Sequence, residues 1–119
     1  MRGTASLVVS DIDTSTALGS GDIDVLGTPR LIALCEAATV TALADQLDDS
    51  VASVGMRIRV DHLQPTPVGA AVTAEAVLDK IDGRRLTFTV SVSDSGGLVA
   101  AGKITRALVD RASFLDKCC

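Results

Sequence analysis

The chain has 119 residues, of which 47% are hydrophobic and 22% charged, as is ordinary for one globular domain. Its formal charge is −4, and it contains two phenylalanines but no tryptophan or tyrosine. Nucleic-acid binding relies on a basic surface and often on aromatic stacking, so this composition argues against a nucleic-acid partner. No apolar run approaches the roughly 20 residues that cross a bilayer, and the N-terminal segment lacks the apolar stretch of a signal peptide. We therefore expect a single domain over residues 1–119, located in the cytoplasm and without a membrane partner.

The first predicted elements are a short strand, a polar loop and a long helix. Residues 6–10 read SLVVS and predict the strand, whereas residues 11–27 are rich in Asp, Ser, Thr and Gly and predict the loop. Thr28 followed by Pro29 is a helix start signal, with threonine as the N-cap and proline at the first helical position. The apolar helix then continues to the polar residues 48–50, which end it.

Beyond the helix the apolar period changes to two, which indicates strands. Apolar and polar residues alternate over residues 54–61, and a second such strand runs over residues 70–81. The dipeptide at 82–83 (DG) predicts a hairpin turn, and the turn at 95–97 (SGG) precedes a last strand over residues 98–109. Between these turns, one face of the third strand carries four apolar residues: Leu86, Phe88, Val90 and Val92. A strand, a long helix and four strands in a meander predict an α+β fold in which one antiparallel sheet wraps one helix.

Glu36 is notable because it lies in the apolar stripe of the predicted helix. At about 100° per residue, four apolar side chains fall within about 40° of it: Ile32, Val40, Leu43 and Leu47. A carboxylate at the centre of a face that packs on a sheet is costly unless it is paired or hydrogen-bonded. We therefore expect a polar partner opposite Glu36.

His62 and Arg106 also occupy inward positions. His62, the only histidine, shares the phase of the apolar positions 56, 58 and 60, and Arg106 shares that of positions 98, 104 and 108. Taken singly, each has a structural explanation: a satisfied core histidine, an arginine that extends to the rim, or, for Glu36, a buried ion pair. Together, three ionisable residues on elements that must pack against each other favour a functional site. Thr28, whose N-cap role already explains it, has a hydroxyl that can also point into a cleft at the helix start.

The three cysteines indicate neither disulfides nor a metal site. Cys35 lies inside the apolar helix, where a buried, reduced thiol is the expected state. Cys118 and Cys119 form a terminal pair without metal-ligand spacing and are interpreted as part of a frayed tail.

At the polar inward positions the sequence resembles the fluoroacetyl-CoA thioesterase family of hotdog-fold proteins. The match runs over about residues 25–109, and the segment DGRRLTFTVSVSD resembles the family's central hairpin. The family's catalytic threonine, glutamate and histidine fall on Thr28, Glu36 and His62, with spacings of eight and twenty-six residues. The segment SVGMRIRVDHLQPTPVG places the family's glycine at Gly55, and its active-site arginine in the last strand falls on Arg106.

This resemblance implies a hotdog fold and a homodimer whose two sheets join into one. It implies active sites at the subunit interface, where Glu36 and His62 meet across subunits. The implied activity is that of an acyl-CoA thioesterase, which hydrolyses a short or small acyl-CoA to the free acid and coenzyme A. Coenzyme A is then part of the substrate, and no cofactor or metal is implied.

Thioester hydrolysis gives each of these residues a role. Glu36 attacks the carbonyl carbon or orients a water, and His62 acts as general base and then protonates the departing thiolate. The N–H of Gly55 faces the developing oxyanion, since a glycine lets the backbone approach closely. Thr28 holds Glu36 or the substrate by hydrogen bonds, and Arg106 stabilises the carboxylate. Four arginines are candidates for the phosphates of coenzyme A or are simply solvated: Arg57, Arg59, Arg84 and Arg85.

The sequence departs from the family upstream of Thr28, where the fluoroacetyl-specific enzyme has a lid that carries phenylalanines. The corresponding stretch here, LGSGDIDVLG, contains no aromatic residue, so selectivity for a fluorinated acyl group is not implied. Two alternatives remain: a non-catalytic hotdog dimer that binds acyl-CoA or another small ligand, and a hotdog hydratase or dehydratase. The hydratase ranks last because Asp61 and His62 are adjacent, on opposite faces of a strand, and lack its motif.

Overall fold

The computed structural model describes residues 1–118; Cys119, assigned above to the terminal tail, lies outside the described residues. In chain order the elements are β1 (Arg2–Val8), a 3-10 turn (Asp11–Asp13), α1 (Ser15–Leu18), α2 (Thr28–Ala42), β2 (Val51–His62), β3 (Ala71–Asp82), β4 (Arg85–Asp94), β5 (Gly97–Asp110) and α3 (Arg111–Asp116). None of the helices within residues 1–118 is long and apolar enough to cross a membrane.

The five strands form one antiparallel sheet in the order β1-β3-β4-β5-β2. Helix α2 packs mainly against β1 and β3 and makes few contacts with β2, which is an edge strand. The apolar face predicted for β4 is buried in the core, with Phe88 fully covered. These observations confirm the predicted α+β arrangement of a sheet that wraps one long helix, and they leave the inner side of β2 the least covered part of the sheet.

The predicted four-strand meander is wrong for β2, which pairs with β5 and not with β3. The segment between β2 and β3 contains Pro65 and Pro67, and Val25 forms an isolated bridge with Pro67. Proline lacks the N–H needed for a tight, fully paired hairpin, so this connection carries the chain across to the far side of the sheet instead. Only β3, β4 and β5 follow one another as a meander.

Helix α2 begins at the predicted residue but ends earlier. Gly27 is the N-cap, so Thr28 is the first helical residue and the predicted capping role of Thr28 is wrong. The helix ends at Ala42 instead of at residue 47, just before the predicted polar stop at 48–50. Asp45 has φ 63°, in the left-handed region, which breaks the helical path before the predicted acidic stop.

The buried face of α2 is centred on a different residue from the one predicted. Its buried apolar residues are Leu31, Leu34, Cys35, Ala38 and Ala42, whereas Glu36 lies on the flank of this face with its side chain 35% exposed. The predicted stripe was centred on Glu36 because Leu43 and Leu47 were counted as helical residues. Both lie beyond the end of the helix. Cys35, which lies about 100° from Glu36 and thus on the flank of a stripe centred there, is at the centre of the observed face and fully buried.

A β-bulge in β2 sets which of its side chains face the helix. Gly55 pairs with Arg106 and Arg57 pairs with Thr105, so Met56 is the extra, unpaired residue. In a regular strand, residues seven positions apart face opposite sides, but the extra residue restores one shared face for Gly55 and His62. The predicted inward phase is therefore correct at His62 and wrong at Met56, which is 44% exposed.

The two ends of the chain also differ from the predictions. The first strand comprises Arg2–Val8 and not residues 6–10, and it pairs with β3. After β5 the chain forms the short helix α3, which the sequence did not predict and which Asp110 caps by accepting a hydrogen bond from Ser113 N at 3.0 Å. The predicted loop over residues 11–27 is largely correct, since it contains only a 3-10 turn and the four-residue helix α1.

Candidate active site

Thr28 and His62 form the first polar cluster. Thr28 begins α2 and His62 ends β2, so the packing of these two ends brings the side chains together. Thr28 Oγ1 lies 2.9 Å from His62 Nδ1, in a hydrogen bond whose donor depends on the imidazole tautomer. His62 Nε2 is buried and has no hydrogen-bond partner within residues 1–118. One ring nitrogen is thus held in place while the other is unengaged.

Burial lowers the pKa of His62 below the ordinary value of 6.5, and contact with the backbone of Gln64 acts in the opposite direction. The imidazole is therefore neutral near pH 7. In the tautomer that carries its proton on Nδ1, the ring donates to Thr28 Oγ1 and presents a lone pair at Nε2. This is the state that a general base requires.

A cleft of about 260 Å³ lies beside this pair. Thr28 and His62 line it together with the apolar side chains of Val25, Leu26 and Leu63. Ser15 and Gln64 also line the cleft, so its lining is mixed, and convergent polar groups beside apolar side chains are typical of small-molecule sites. A larger cleft of about 360 Å³, at the C-terminal end of α2, includes none of Thr28, Glu36 and His62. We therefore place the candidate site by its chemistry and not by cavity size.

Glu36 and Arg106 form the second polar cluster. Arg106 Nη1 donates to Glu36 Oε2 at 3.2 Å, and the Arg106 side chain is only 8% exposed. Ser53 engages the rest of the guanidinium: Nε donates to its Oγ at 2.9 Å and Nη2 to its backbone carbonyl at 3.0 Å. The polar partner expected for Glu36 is thus Arg106, as the inward phase of both residues suggested.

Gly55 leaves space for the Glu36 carboxylate. A Cβ at this position would lie 2.6 Å from Glu36 Oε2, closer than a side-chain carbon can approach. Gly55 pairs with Arg106 across the β2–β5 ladder, which places it next to the ion pair. Any other residue here would push the carboxylate away from its present position.

Within one chain the predicted site residues fall into these two separate clusters. Within one chain Thr28 bonds to His62 and not to Glu36, so the expected contact of Thr28 with Glu36 is absent there. The meeting of Glu36 and His62 across subunits stays a prediction. Eight residues separate Thr28 from Glu36 on α2, which is about 12 Å along a helix. A helix cannot bring side chains that far apart to one reacting atom by itself.

Ser53 was not identified from the sequence. Its phase is that of Gly55, two positions away, but the alternation drawn through Met56 assigned both to the outer face. Gly55 and His62 were attributed to one site although they are an odd number of positions apart, which puts them on opposite faces of a regular strand. This conflict was the signal that could have revealed the bulge, and with it the inward position of Ser53.

Cys35 is structural in character. It is fully buried, and this burial, with a smaller effect of the neighbouring Glu36 charge, raises the pKa of the thiol to about 11. Because the thiolate is the reactive form, this thiol is inert near neutral pH. The arginines considered for phosphate binding are all at exposed positions: Arg57, Arg59, Arg84 and Arg85.

His62 should titrate below pH 6.5, and its being the only histidine makes the test direct. The Hε1 resonance of His62 in a series of NMR spectra from pH 4.5 to 8 reports its pKa without overlap. Because the folded pKa lies below the unfolded value, fold stability should decrease as the pH falls from about 6.5 through the folded pKa. A measured pKa at or above 6.5 would contradict the burial seen here.

Comparisons with known proteins agree with this fold. The sequence profile of a family described as fluoroacetyl-CoA-specific thioesterase matches residues 9–112. A fluoroacetyl-CoA thioesterase from Streptantibioticus cattleyicolor is 35% identical over 94 residues, which cover 79% of this chain and 68% of that protein.

Solved structures give the same result. A structure of the fluoroacetyl-CoA thioesterase superposes with a TM-score of 0.92 at 32% identity, covering 98% of this chain and 91% of that one. A phenylalanine-to-alanine mutant of that thioesterase, in complex with fluoroacetate and CoA, gives a TM-score of 0.87 at 32% identity, with 96% of each chain covered. A hot-dog-like protein from Thermanaerovibrio acidaminovorans gives 0.90 at 25% identity, covering 98% of this chain and 87% of that one. The chain therefore belongs to the fluoroacetyl-CoA-specific thioesterase family, and it is a thioester hydrolase with the hotdog fold.

Proposed function

We propose that this protein hydrolyses a small acyl-CoA to the free acid and coenzyme A, with Thr28, Glu36 and His62 as its catalytic residues. The observation that carries the proposal is the neutral imidazole of His62, fixed by Thr28 at Nδ1 and unengaged at a buried Nε2. A carboxylate held by a buried arginine, beside a glycine, supplies the second half of the site. The CoA complex of a related thioesterase supports coenzyme A as the carrier.

The reaction follows from these groups. The Nε2 lone pair of His62 takes a proton from water, and the water oxygen bonds to the thioester carbonyl carbon. The carbonyl oxygen becomes an oxyanion, for which the N–H of Gly55 is the proposed donor. The intermediate then collapses with cleavage of the C–S bond, and the imidazolium returns its proton to the thiolate of coenzyme A.

Two roles are open to Glu36 in this scheme. Its carboxylate either orients the attacking water or attacks the carbonyl carbon itself, which breaks the C–S bond and releases the thiolate of coenzyme A to leave a mixed anhydride. Water activated by His62 then hydrolyses the anhydride to the free acid and the Glu36 carboxylate, and the imidazolium gives its proton to the thiolate. In both roles it needs a fixed position and a negative charge, and the hydrogen bond from Arg106 supports both.

We propose further that the complete site forms between two subunits of a homodimer. The inner side of β2 is poorly covered, since its Ile58 is 40% exposed, and the neighbouring bulge residue Met56 is 44% exposed. A second β2 can add to this edge, which would cover its unpaired backbone groups and these side chains. Antiparallel pairing about an axis near the middle of β2 would place His62 of one subunit beside Gly55, and hence Glu36, of the partner subunit.

The acyl group is proposed to be small, without selection for fluorine. The cleft beside His62 has a volume of about 260 Å³, and the apolar side chains within its mixed lining suit a short chain. Residues 18–27, which precede α2, carry no aromatic side chain that would close over it.

Replacing Glu36 with Gln should lower turnover by about 100-fold or more, because it removes the negative charge while preserving shape. The buried Arg106 then loses its counter-charge, so the melting temperature should fall by roughly 3–6 °C, equivalent to about 1 kcal/mol. From the sequence alone, a costly carboxylate in the apolar stripe predicts unchanged or higher stability for Glu36→Gln. The structure reverses this expectation because the more deeply buried charge belongs to Arg106. Thiol release from a panel of acyl-CoAs and a thermal melt measure both quantities.

The matched control is Glu75→Gln, which removes the other glutamate, ion-paired with Arg2 on the exposed side of the sheet. This control should keep full turnover. Unchanged hydrolysis in Glu36→Gln would refute the catalytic role, whereas retained acyl-CoA binding without any turnover in the native protein would favour the non-catalytic alternative.

Replacing Gly55 with Ala should displace the Glu36 carboxylate and reduce kcat by about tenfold or more, since a misplacement of about 1 Å is costly in an active site. The matched control is Gly96→Ala in the turn before β5, where an added Cβ meets only the Asp94 side chain, at 3.3 Å. Steady-state kinetics of both variants provide the test, and a fully active Gly55→Ala would show that this close approach is not required.

The protein should be a homodimer at micromolar concentration. Light scattering should give about twice the chain mass of 12.2 kDa. A well-folded monomer of 12.2 kDa with full thioesterase activity would contradict the shared site.

A further inference from the structure

We propose that Ser53 is a positioning residue of the thioesterase site, which acts through Arg106 to hold the Glu36 carboxylate in its reactive position. This inference rests on the proposed function, because it deepens the role given there to Glu36. Ser53 does not touch the proposed reaction centre. Its effect on turnover would be transmitted by one guanidinium group.

The geometry of the guanidinium carries the inference. Arg106 Nε and Nη2 lie on one edge of the planar group, and both donate to Ser53, to Oγ at 2.9 Å and to the backbone carbonyl at 3.0 Å. Two hydrogen bonds from one edge to one residue fix the plane of the guanidinium as well as its position. The remaining nitrogen, Nη1, is then directed at Glu36 Oε2, 3.2 Å away.

Ser53 and Gly55 occupy the same face of β2, before the bulge at Met56. Ser53 is opposite Leu108 and Gly55 opposite Arg106 in the register with β5. The strand β2 therefore positions the Glu36 carboxylate in two ways. Ser53 orients the Arg106 guanidinium that binds the carboxylate, and Gly55 leaves the space that the carboxylate occupies. Without the hydroxyl, one of two contacts on that edge is lost and the guanidinium can rotate about its remaining bond to the carbonyl.

Ser53→Ala removes the hydroxyl and keeps the backbone carbonyl. We expect kcat for acyl-CoA hydrolysis to fall about tenfold, on the scale of one lost hydrogen bond to a charged group, with KM within about twofold of the native value. Ser53→Thr, which restores a hydroxyl on a strand-favouring residue, should recover most of the lost kcat. The control is Ser6→Ala, which removes a strand serine bonded to Thr73 at 3.0 Å on the far edge strand β1, and which should keep native kcat.

A second readout does not depend on turnover. The Nε–H proton of Arg106 in 15N-labelled protein should exchange slowly with solvent, because it is buried and bonded, and about tenfold faster in Ser53→Ala but not in Ser6→Ala. A native kcat in Ser53→Ala would overturn the positioning role, and so would native Nε–H exchange. If the native protein hydrolyses no acyl-CoA, the proposed function fails, and the exchange measurement alone then decides whether Ser53 holds Arg106.

Discussion

The buried guanidinium of Arg106 is the constraint on which the arrangement of the site depends. A permanent charge inside a protein is tolerated only when its donors are used and a counter-charge is near. Here the carboxylate of Glu36 from α2 and two oxygens of Ser53 from β2 meet these needs. One side chain on β5 thus ties the flank of the central helix to the edge strand, at the point where Gly55 leaves room for the carboxylate.

The bulge at Met56 extends this arrangement to the other end of β2. By adding one residue, it lets Ser53, Gly55 and His62 share the inner face although their spacing is irregular. His62 then reaches Thr28 at the start of α2, where burial keeps its imidazole neutral. β2 therefore lies against the Glu36 carboxylate near its beginning and carries a fixed, neutral imidazole at its end. A single chain keeps the two apart, and the proposed pairing of the exposed edge strand β2 with its copy would unite them.

The sequence was sufficient for the parts of this molecule that depend on local pattern. Periodicity predicts the long helix from Thr28, the apolar face of β4 and the inward phase of His62 and Arg106. It does so because side chains that face the core recur at the spacing of the helix or of the strand. The family followed from four polar residues in register, and the profile and structural matches confirm it. That resemblance, and not the alternation of the strand, placed Gly55 in the site.

What the sequence did not reveal depends on contacts between distant segments. The centre of the buried helix face shifted from Glu36 to Cys35 because the helix ends at Ala42, and the conformation of Asp45 beyond it is not encoded by apolar spacing. The pairing of β2 with β5 and the bulge depend on two strands together. The inward position of Ser53 beside Arg106 can be recognised only when both are known.

The most direct test of a site shared between subunits is a mixed dimer of Glu36→Gln and His62→Ala chains, purified through two different affinity tags. If each site takes Glu36 from one subunit and His62 from the other, one site of the mixed dimer carries both changes and the other carries none. Its activity should then be about half that of the native dimer and far above that of either variant homodimer. A mixed dimer no more active than the two variant homodimers would show that each chain supplies both residues to the same site, which would contradict the shared arrangement.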